Sequence, residues 1–394
     1  RLPRPKSATT PCWTTRPWLH NLMKLASGNP GAVHFGCSHH QKIVVIDDKF
    51  AVCGGIDMTS DRWDTPAHLD DDVRRKRPNR KLYDPWHDVT MMIDGKAAAE
   101  LGELARMRWE RAGAAPLAPC EPQKESPWPG SLEAEFQFVQ VGISRTRAEY
   151  EESPPIFEIE NLFLEQIARA KKFIYAENQY FASRKIAEAI ARRMAEPEPP
   201  EIFIVTAESA DGWLEQKAMD SARARLIRAI QEKDKAGRFS VNIPYTAKGT
   251  PIYVHAKLMI VDDEILRVGS ANMNNRSLGL DSECDLHIDM AADGNESVGP
   301  AIKLLRHRLL AEHCGVSTEK MAEKLNGGAS MLEAVQQLRH GGRRLEQLTL
   351  PKLTDAEKAL ADQSMLDPES PEELFEPFAK TSIFSKSRIL SAPD

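Results

Sequence analysis

His40-Gln41-Lys42-Ile43-Val44-Val45-Ile46-Asp47-Asp48 opens a stretch that continues as an apolar run from Phe50 to Gly55 and ends in Ile56-Asp57. The same text returns later as His255-Ala256-Lys257-Leu258-Met259-Ile260-Val261-Asp262-Asp263, then Ile265 to Ser270, then Ala271-Asn272. Histidine, lysine, a double aspartate, a glycine and a closing Asp57 or Asn272 recur at the same offsets. From composition alone, H-x-K-x-x-x-x-D is expected about 0.04 times in such a chain, so two copies have odds on the order of one in a thousand. Each copy reads as a buried β-hairpin, an apolar strand turning through acidic residues into a second apolar strand. The expected fold is therefore α/β, with two homologous halves, each a mixed sheet flanked by helices, that bring the two histidines to one pseudo-twofold axis.

Outward from the second copy, the periodicity predicts helix over Glu158–Ala170, strand over Lys172–Ala176, helix over Ile186–Met194 and strand over Ile202–Ala207. A helix near Trp213–Glu232 and a strand over Phe239–Ile243 follow. The first copy has a much shorter lead-in, which suggests a first half incomplete at its N-terminus. The expected organisation is a first half over 1–111, a Pro- and Ala-rich linker over 112–135, a second half over 136–315, and a helical extension and tail over 316–394. After Ala291 the reading turns helical, with Val298–Glu312 closing the second half and Thr318–Leu325, Ser330–Leu338 and Asp355–Gln363 in the extension. Asp64–Pro85 is an insertion without a counterpart in the second half, and its charges from Asp70 to Arg80 read as a solvated loop. The alternative is a membrane-docking role for Arg74, Arg75, Lys76 and Arg77.

Composition limits the function classes. The 394 residues are 41% apolar and 28% charged, a globular balance, with room for two domains. Lysine and arginine number 52 against 58 acids, a net charge of −6, so no global positive field favours nucleic acid. The six cysteines form no C-x-x-C pair, and no zinc cage or other metal site is legible. No apolar run reaches the ~18 residues of a membrane span. The compartment stays unknown, with a cytoplasmic or peripheral-membrane setting favoured.

Residues two apart on a strand share a face, so His40 points with Lys42 and His255 with Lys257. Two imidazoles and two ammonium groups in one pocket suit a phosphodiester. The lysines balance the phosphoryl oxygens, and Asn272 and Asp57 line the same pocket. One neutral histidine attacks phosphorus while the other, protonated, donates to the leaving oxygen, and no cofactor is required. Each histidine needs an acceptor on its second nitrogen. Glu283 is expected to orient His255, and Asp88 to orient His40. Asp47 and Asp262 close the two motifs and count with the catalytic set, although their place at strand ends also suits pinning the turns. Glu177 to Phe181 either lines the pocket or packs beneath it. His87 reads either way, and His39 as structural.

These motifs resemble the phospholipase D superfamily, whose hallmark is two H-x-K-x-x-x-x-D motifs. The likeness extends to Gly54-Gly55-Ile56-Asp57, Arg62-Trp63-Asp64-Thr65, Pro85-Trp86-His87-Asp88, Glu177-Asn178-Gln179-Tyr180-Phe181 and Gly269-Ser270-Ala271-Asn272, and covers about residues 33 to 315. It is greatest to true phospholipases D of a compact bacterial type. It implies a phospholipid substrate at a membrane surface, cleaved to phosphatidic acid or transferred to an alcohol, with His40 as nucleophile and His255 as acid. A cardiolipin synthase-type transferase and a nuclease on the same fold are the alternatives.

Overall fold

The computed structural model describes residues 37–121, 128–149, 153–209, 213–339 and 341–350. The first hairpin is β1 (Ile43–Ile46) and β2 (Phe50–Gly54), paired antiparallel with Ile46 opposite Phe50. After the short β3 (Trp86–His87), β4 (Thr90–Asp94) joins β2 with Thr90 opposite Gly54. The chain then runs through β5 (Gly142–Arg147), β6 (Ile156–Phe157), β7 (Phe173–Asn178), β8 (Glu201–Val205), β9 (Phe239–Tyr245) and β10 (Tyr253–Val254). The second hairpin is β11 (Lys257–Val261) and β12 (Ile265–Gly269), with Val261 opposite Ile265. Next, β13 (Glu283–Asp289) joins β12 with Asp285 opposite Gly269. The same three-strand unit is thus built twice in equivalent register.

The double aspartates explain themselves in these turns. Asp47 and Asp48 both sit at φ 53, and Asp262 and Asp263 at φ 56 and 59. Two successive left-handed residues make the tight turn whose twist matches a hairpin, and aspartate tolerates that region better than most side chains.

The second unit lies in a nine-stranded sheet of order β14-β9-β8-β7-β11-β12-β13-β5-β6, closed at one edge by β14 (Arg344–Gln347). The pairs among β7, β8 and β9 are parallel and the others antiparallel, so this sheet is mixed. The first unit differs from expectation, because its described strands form a three-stranded, wholly antiparallel sheet, β1-β2-β4. Residues before 37 lie outside the described residues, as does the expected helix at Asp355–Gln363. The helix Lys96–Arg111 buries Ala98 and Leu101 against Ala51, Cys53 and Ile93, and the same cluster takes in Cys284 and Leu286 of the large sheet. Burial of Leu101, Ile93 and Leu286 contributes roughly 1.5–3 kcal/mol each and fixes the small sheet against the large one.

Helices Glu158–Arg169, Arg184–Met194 and Trp213–Lys233 agree with the periodicity. The described residues from 316 to 347 pack into the body of the second half. Helices Thr318–Asn326 and Met331–Gln337 bury Met321, Met331 and Val335 in the core that holds Leu258 and Ile260, and β14 pairs with β9. Sequence reasoning missed β14 because its four residues, Arg344 to Gln347, carry a single buried apolar side chain, Leu345.

Candidate active site

Two short parallel ladders cross between the units and build the site. His39 bridges Ser282, with His40 N donating to Ser282 O at 3.0 Å and Ser282 N to Ser38 O at 2.9 Å. Likewise β3 pairs with β10, Val254 opposite His87, and His255 N donates to His87 O at 2.8 Å. Each ladder sets the histidine of one unit beside the carboxylate that opens the last strand region of the other.

The consequence is a correction to the expected partners. His40 Nδ1 lies 2.9 and 3.0 Å from the two carboxylate oxygens of Glu283, and His255 Nδ1 lies 2.8 Å from Asp88 Oδ2. Glu283 therefore holds His40, and Asp88 holds His255. Glu283 is fully buried, and its Oε2 also accepts from Ser270 Oγ at 2.5 Å, while its carbonyl accepts from Gln41 Nε2 at 3.0 Å. Asp88 Oδ1 accepts from Val89 N at 2.9 Å, which locks the carboxylate's orientation. Gly55 makes room for this arrangement, since a Cβ there would stand 2.1 Å from Asp88 Oδ1 and 2.9 Å from His255 O. With each Nδ1 so occupied, both Nε2 atoms are left for chemistry.

The lysines follow the period-two expectation. Lys42 Nζ donates to His40 O at 3.0 Å, and Lys257 Nζ to His255 O at 2.5 Å and Gln179 Oε1 at 3.0 Å. Asp57 reaches the pocket, but as an anion bound to Lys42 at 2.9 Å and 3.8 Å from His255 Nε2. Burial acts to raise its pKa, yet Lys42, His255 and Arg62 together outweigh burial and hold the carboxyl below its ordinary value. Such a carboxylate repels a phosphate, so Asp57 is a partner of Lys42 rather than the phosphate ligand expected. Asn272 is buried and its Oδ1 has no hydrogen-bond partner, as suits a group awaiting a ligand.

Asp47 and Asp262 are not in the pocket. Asp262 accepts from the backbone N–H groups of Lys171, Lys172 and Phe173 at 2.7, 2.9 and 2.8 Å. Five strand residues separate it from His255-Ala256, roughly 16 Å of extended chain. Asp47 occupies the equivalent turn. Asp262 thus ties its hairpin turn to the start of β7 and Asp47 sits in the equivalent turn, a structural place in contrast to the catalytic one expected.

Burial is uneven between the histidines. His255 is buried and its pKa is pushed down to about 4, first by desolvation and then by Lys257, against the opposing pull of Asp88 and Asp57. Desolvation likewise pushes Lys257 down to about 7. The Trp86 ring stacks on Tyr253 at 4.8 Å and tilts against His255 at 5.0 Å, sealing one side of that imidazole from water. Sequence reasoning missed Trp86, Tyr253, Ser270 and Gly55 as site residues, although Gly55, Trp86 and Ser270 lie inside the quoted motifs.

Behind the pocket runs a buried ionic chain. His87 Nε2 meets Glu177 Oε2 at 2.6 Å and its Nδ1 meets Glu312 Oε1 at 2.9 Å, while Glu177 Oε1 accepts from His313 at 2.9 Å. His68 joins Glu312 at 3.0 Å to Asp64 at 2.9 Å, and Asp64 binds Arg75 at 3.1 Å. Burial opposes the charge on His87, but Glu177 and Glu312 prevail and carry its pKa well above the ordinary range. Glu177 is itself held low, as His87 and His313 outweigh its burial. Two triplets here, His68/His87/Glu312 and His87/Glu177/His313, are of metal-ligand type and spacing, and in each the facing atoms already hydrogen-bond one another. This chain corrects the reading of 70–80 as wholly solvated, because Arg75 is only 2% exposed and Asp72 is also buried. It also places Glu177 beneath the site, with Gln179 alone of that segment on a motif lysine among the described contacts.

A family model described as "Cardiolipin synthase, PLD-like domain" matches residues 163–297. Over those residues, about a third of its length, the chain is similar to that family. Phospholipase D1 of Schizosaccharomyces pombe is 26% identical over 391 residues, covering 73% of this chain and 28% of that protein. Phospholipase D A of Dictyostelium discoideum is 26% identical over 376 residues, covering 76% of this chain and 28% of that protein. The chain thus spans about a quarter of the length of these curated relatives. Among solved structures, phosphatidylserine synthase of Haemophilus influenzae Rd KW20 aligns at 15% identity over 86% of this chain and 68% of its own, with a TM-score of 0.45.

Proposed function

We propose that this chain carries the pocket of a phospholipase D, which cleaves a phospholipid headgroup ester to phosphatidic acid or passes the phosphatidyl group to an alcohol. The observation that carries this reading is the crossed pair of carboxylate-held histidines, His40 on Glu283 and His255 on Asp88, each two residues from a lysine at one pocket. The described helices include none long and apolar enough to cross a membrane.

In the proposed reaction His40 Nε2 attacks phosphorus. The phosphorus–oxygen bond to the headgroup breaks, and His255 Nε2–H gives its proton to the departing oxygen. Water or an alcohol then attacks the phosphohistidine, His255 takes the incoming proton, and the phosphorus–nitrogen bond opens. Lys42, Lys257 and Asn272 hold the phosphoryl oxygens. In the empty pocket His255 is neutral at pH 7, so the proton must arrive with the substrate. A phosphodiester anion ~4 Å away, at an effective dielectric of ~20, stabilises the imidazolium by about 4 kcal/mol, or about three pK units.

A cardiolipin synthase-type transfer is the second reading, favoured by the description of the matching family model. The test is an incubation with vesicles of phosphatidylcholine and phosphatidylglycerol, with ethanol, analysed by mass spectrometry. Phosphatidylethanol that disappears in His40→Ala and His255→Ala supports the proposal, and cardiolipin formed without ethanol moves it to the second reading. Folded protein giving no lipid product but cleaving oligonucleotides overturns both.

A further inference from the structure

Every residue from 76 to 82 is exposed. This stretch is the tip of a hairpin arm within the insertion. Arg77 N donates to Lys81 O at 2.8 Å, Arg80 N to Arg77 O at 2.8 Å, and Tyr83 N to Arg75 O at 3.3 Å. Arg80 takes a left-handed φ of 67 at the bend. The arm reads Val73-Arg74-Arg75-Lys76-Arg77-Pro78-Asn79-Arg80-Lys81-Leu82, six cations without an acid.

Charge within the insertion is sorted by direction. Asp64 and Asp72 are buried, Asp64 beneath Arg75, while Asp70 and Asp71 are taken up by Thr246 and Lys248. Arg74 and Arg77 are tied to Asp72 and Asp61. Lys76, Arg80 and Lys81 are exposed and form no salt bridge among the described residues. Beside them stand aliphatic side chains with no packing role: Val73 is 74% exposed and Leu82 57%. Isolated exposed apolar residues are ordinary, but here they flank a cationic tip. The arm roots at the pocket, since Leu82 lies four positions before Trp86, and Asp64 accepts from Trp86 N at 2.9 Å.

We propose that this arm docks the chain on an anionic lipid bilayer, its lysines and arginines among the headgroups and Val73 and Leu82 at the acyl boundary. This rests on the phospholipid reading of the pocket and adds how that substrate is reached. A polyanion such as nucleic acid would use the cations but gives no place to the exposed aliphatics, whereas a bilayer interface takes both.

The test measures co-sedimentation of the full chain with phosphatidylcholine vesicles, with and without phosphatidylglycerol. The variants are Lys76→Gln/Arg80→Gln/Lys81→Gln and Val73→Ser/Leu82→Ser. Each cation near an anionic surface contributes about fivefold to partitioning, so the triple variant should lose roughly a hundredfold on phosphatidylglycerol vesicles. It should lose little on pure phosphatidylcholine, and binding should fall with salt. The aliphatic variant should bind several-fold more weakly, with its deficit persisting at high salt. Turnover of a monomeric short-chain phosphodiester should be unchanged in both, which shows that the pocket is intact. Equal vesicle binding by wild type and the triple variant overturns the docking proposal, as does arm-dependent binding of an oligonucleotide that vesicles fail to displace. Arm-dependent vesicle binding without phospholipid turnover by the wild type would instead refute the reading of the pocket and leave the docking surface standing.

Discussion

Asp88→Asn separates the two histidines most cleanly. Asp88 meets His255 Nδ1 at 2.8 Å and opposes the burial that has already pushed this imidazole down to about 4. Amide for carboxylate keeps the shape but deletes the charge. At an effective dielectric of ~20 and ~4 Å the lost attraction is about 4 kcal/mol, an upper bound of about three pK units on the proton affinity of His255. The pKa moves further down, so His255 no longer carries a proton to the leaving oxygen even beside a bound phosphodiester. General acid catalysis contributes roughly 10²–10⁴-fold. The expected loss in kcat/KM is of that size for a substrate with an alkyl leaving group, which must be protonated. For an aryl phosphodiester whose leaving anion is stable, the first step should fall by less than about tenfold. Glu283→Gln acts on His40, the nucleophile in the proposed reaction, and should slow both substrates alike. The assay is pre-steady-state turnover of the two substrate types by both variants. Equal losses on both leaving groups in Asp88→Asn, or a leaving-group-selective loss in Glu283→Gln, would refute the crossed assignment.

Further predictions concern proton and charge balance. Phosphate or vanadate binding near neutral pH should take up a proton, because an anion raises the depressed pKa of His255. Calorimetry in buffers of different ionisation enthalpy reads the uptake directly, and none should be seen in His255→Ala. Lys257→Met should abolish activity yet stabilise the fold by up to roughly 5 kcal/mol, since a lysine held at about 7 is charged only at a cost. That cost is fully present below pH 7 and fades as pH rises toward the ordinary lysine range, so the gain in unfolding free energy should shrink in alkaline buffer. His87→Gln should destabilise by about 3–5 kcal/mol in denaturant titrations, by leaving Glu177 buried without its imidazolium. Because the His87 pKa is raised, its contribution is complete below the ordinary histidine range and disappears only as pH climbs through the elevated value. The stability gap between wild type and variant should therefore persist through neutral pH.

How much of this could be read from the sequence follows from the range of the interactions. The hairpins, the paired lysines and the helices around them are set by period-two and period-3.6 patterns, and they lie where those patterns put them. Both orienting carboxylates were legible too, since Asp88 and Glu283 hold matching positions before β4 and within β13. Their partners were not. The crossing depends on ladders of two or three residues, 38–40 with 282 and 85–87 with 253–255, which leave no periodic trace. The double aspartates were ambiguous because turn geometry and acid chemistry favour the same residue, and only the left-handed φ values separate them. The buried Arg75 was hidden for a similar reason. In a run of six cations nothing marks the one whose partner, Asp64, lies eleven positions earlier and inside.

The central claim is that one pocket divides attack and proton transfer between His40 and His255. The most direct measurement is acid-quenched mass spectrometry of the chain mixed with an aryl phosphodiester, comparing wild type with Asp88→Asn. The account predicts a phosphorylated adduct on His40 that accumulates in Asp88→Asn, because His255 is then poorly held to activate the water that releases it. An adduct on His255, or turnover with none on either histidine, would contradict it.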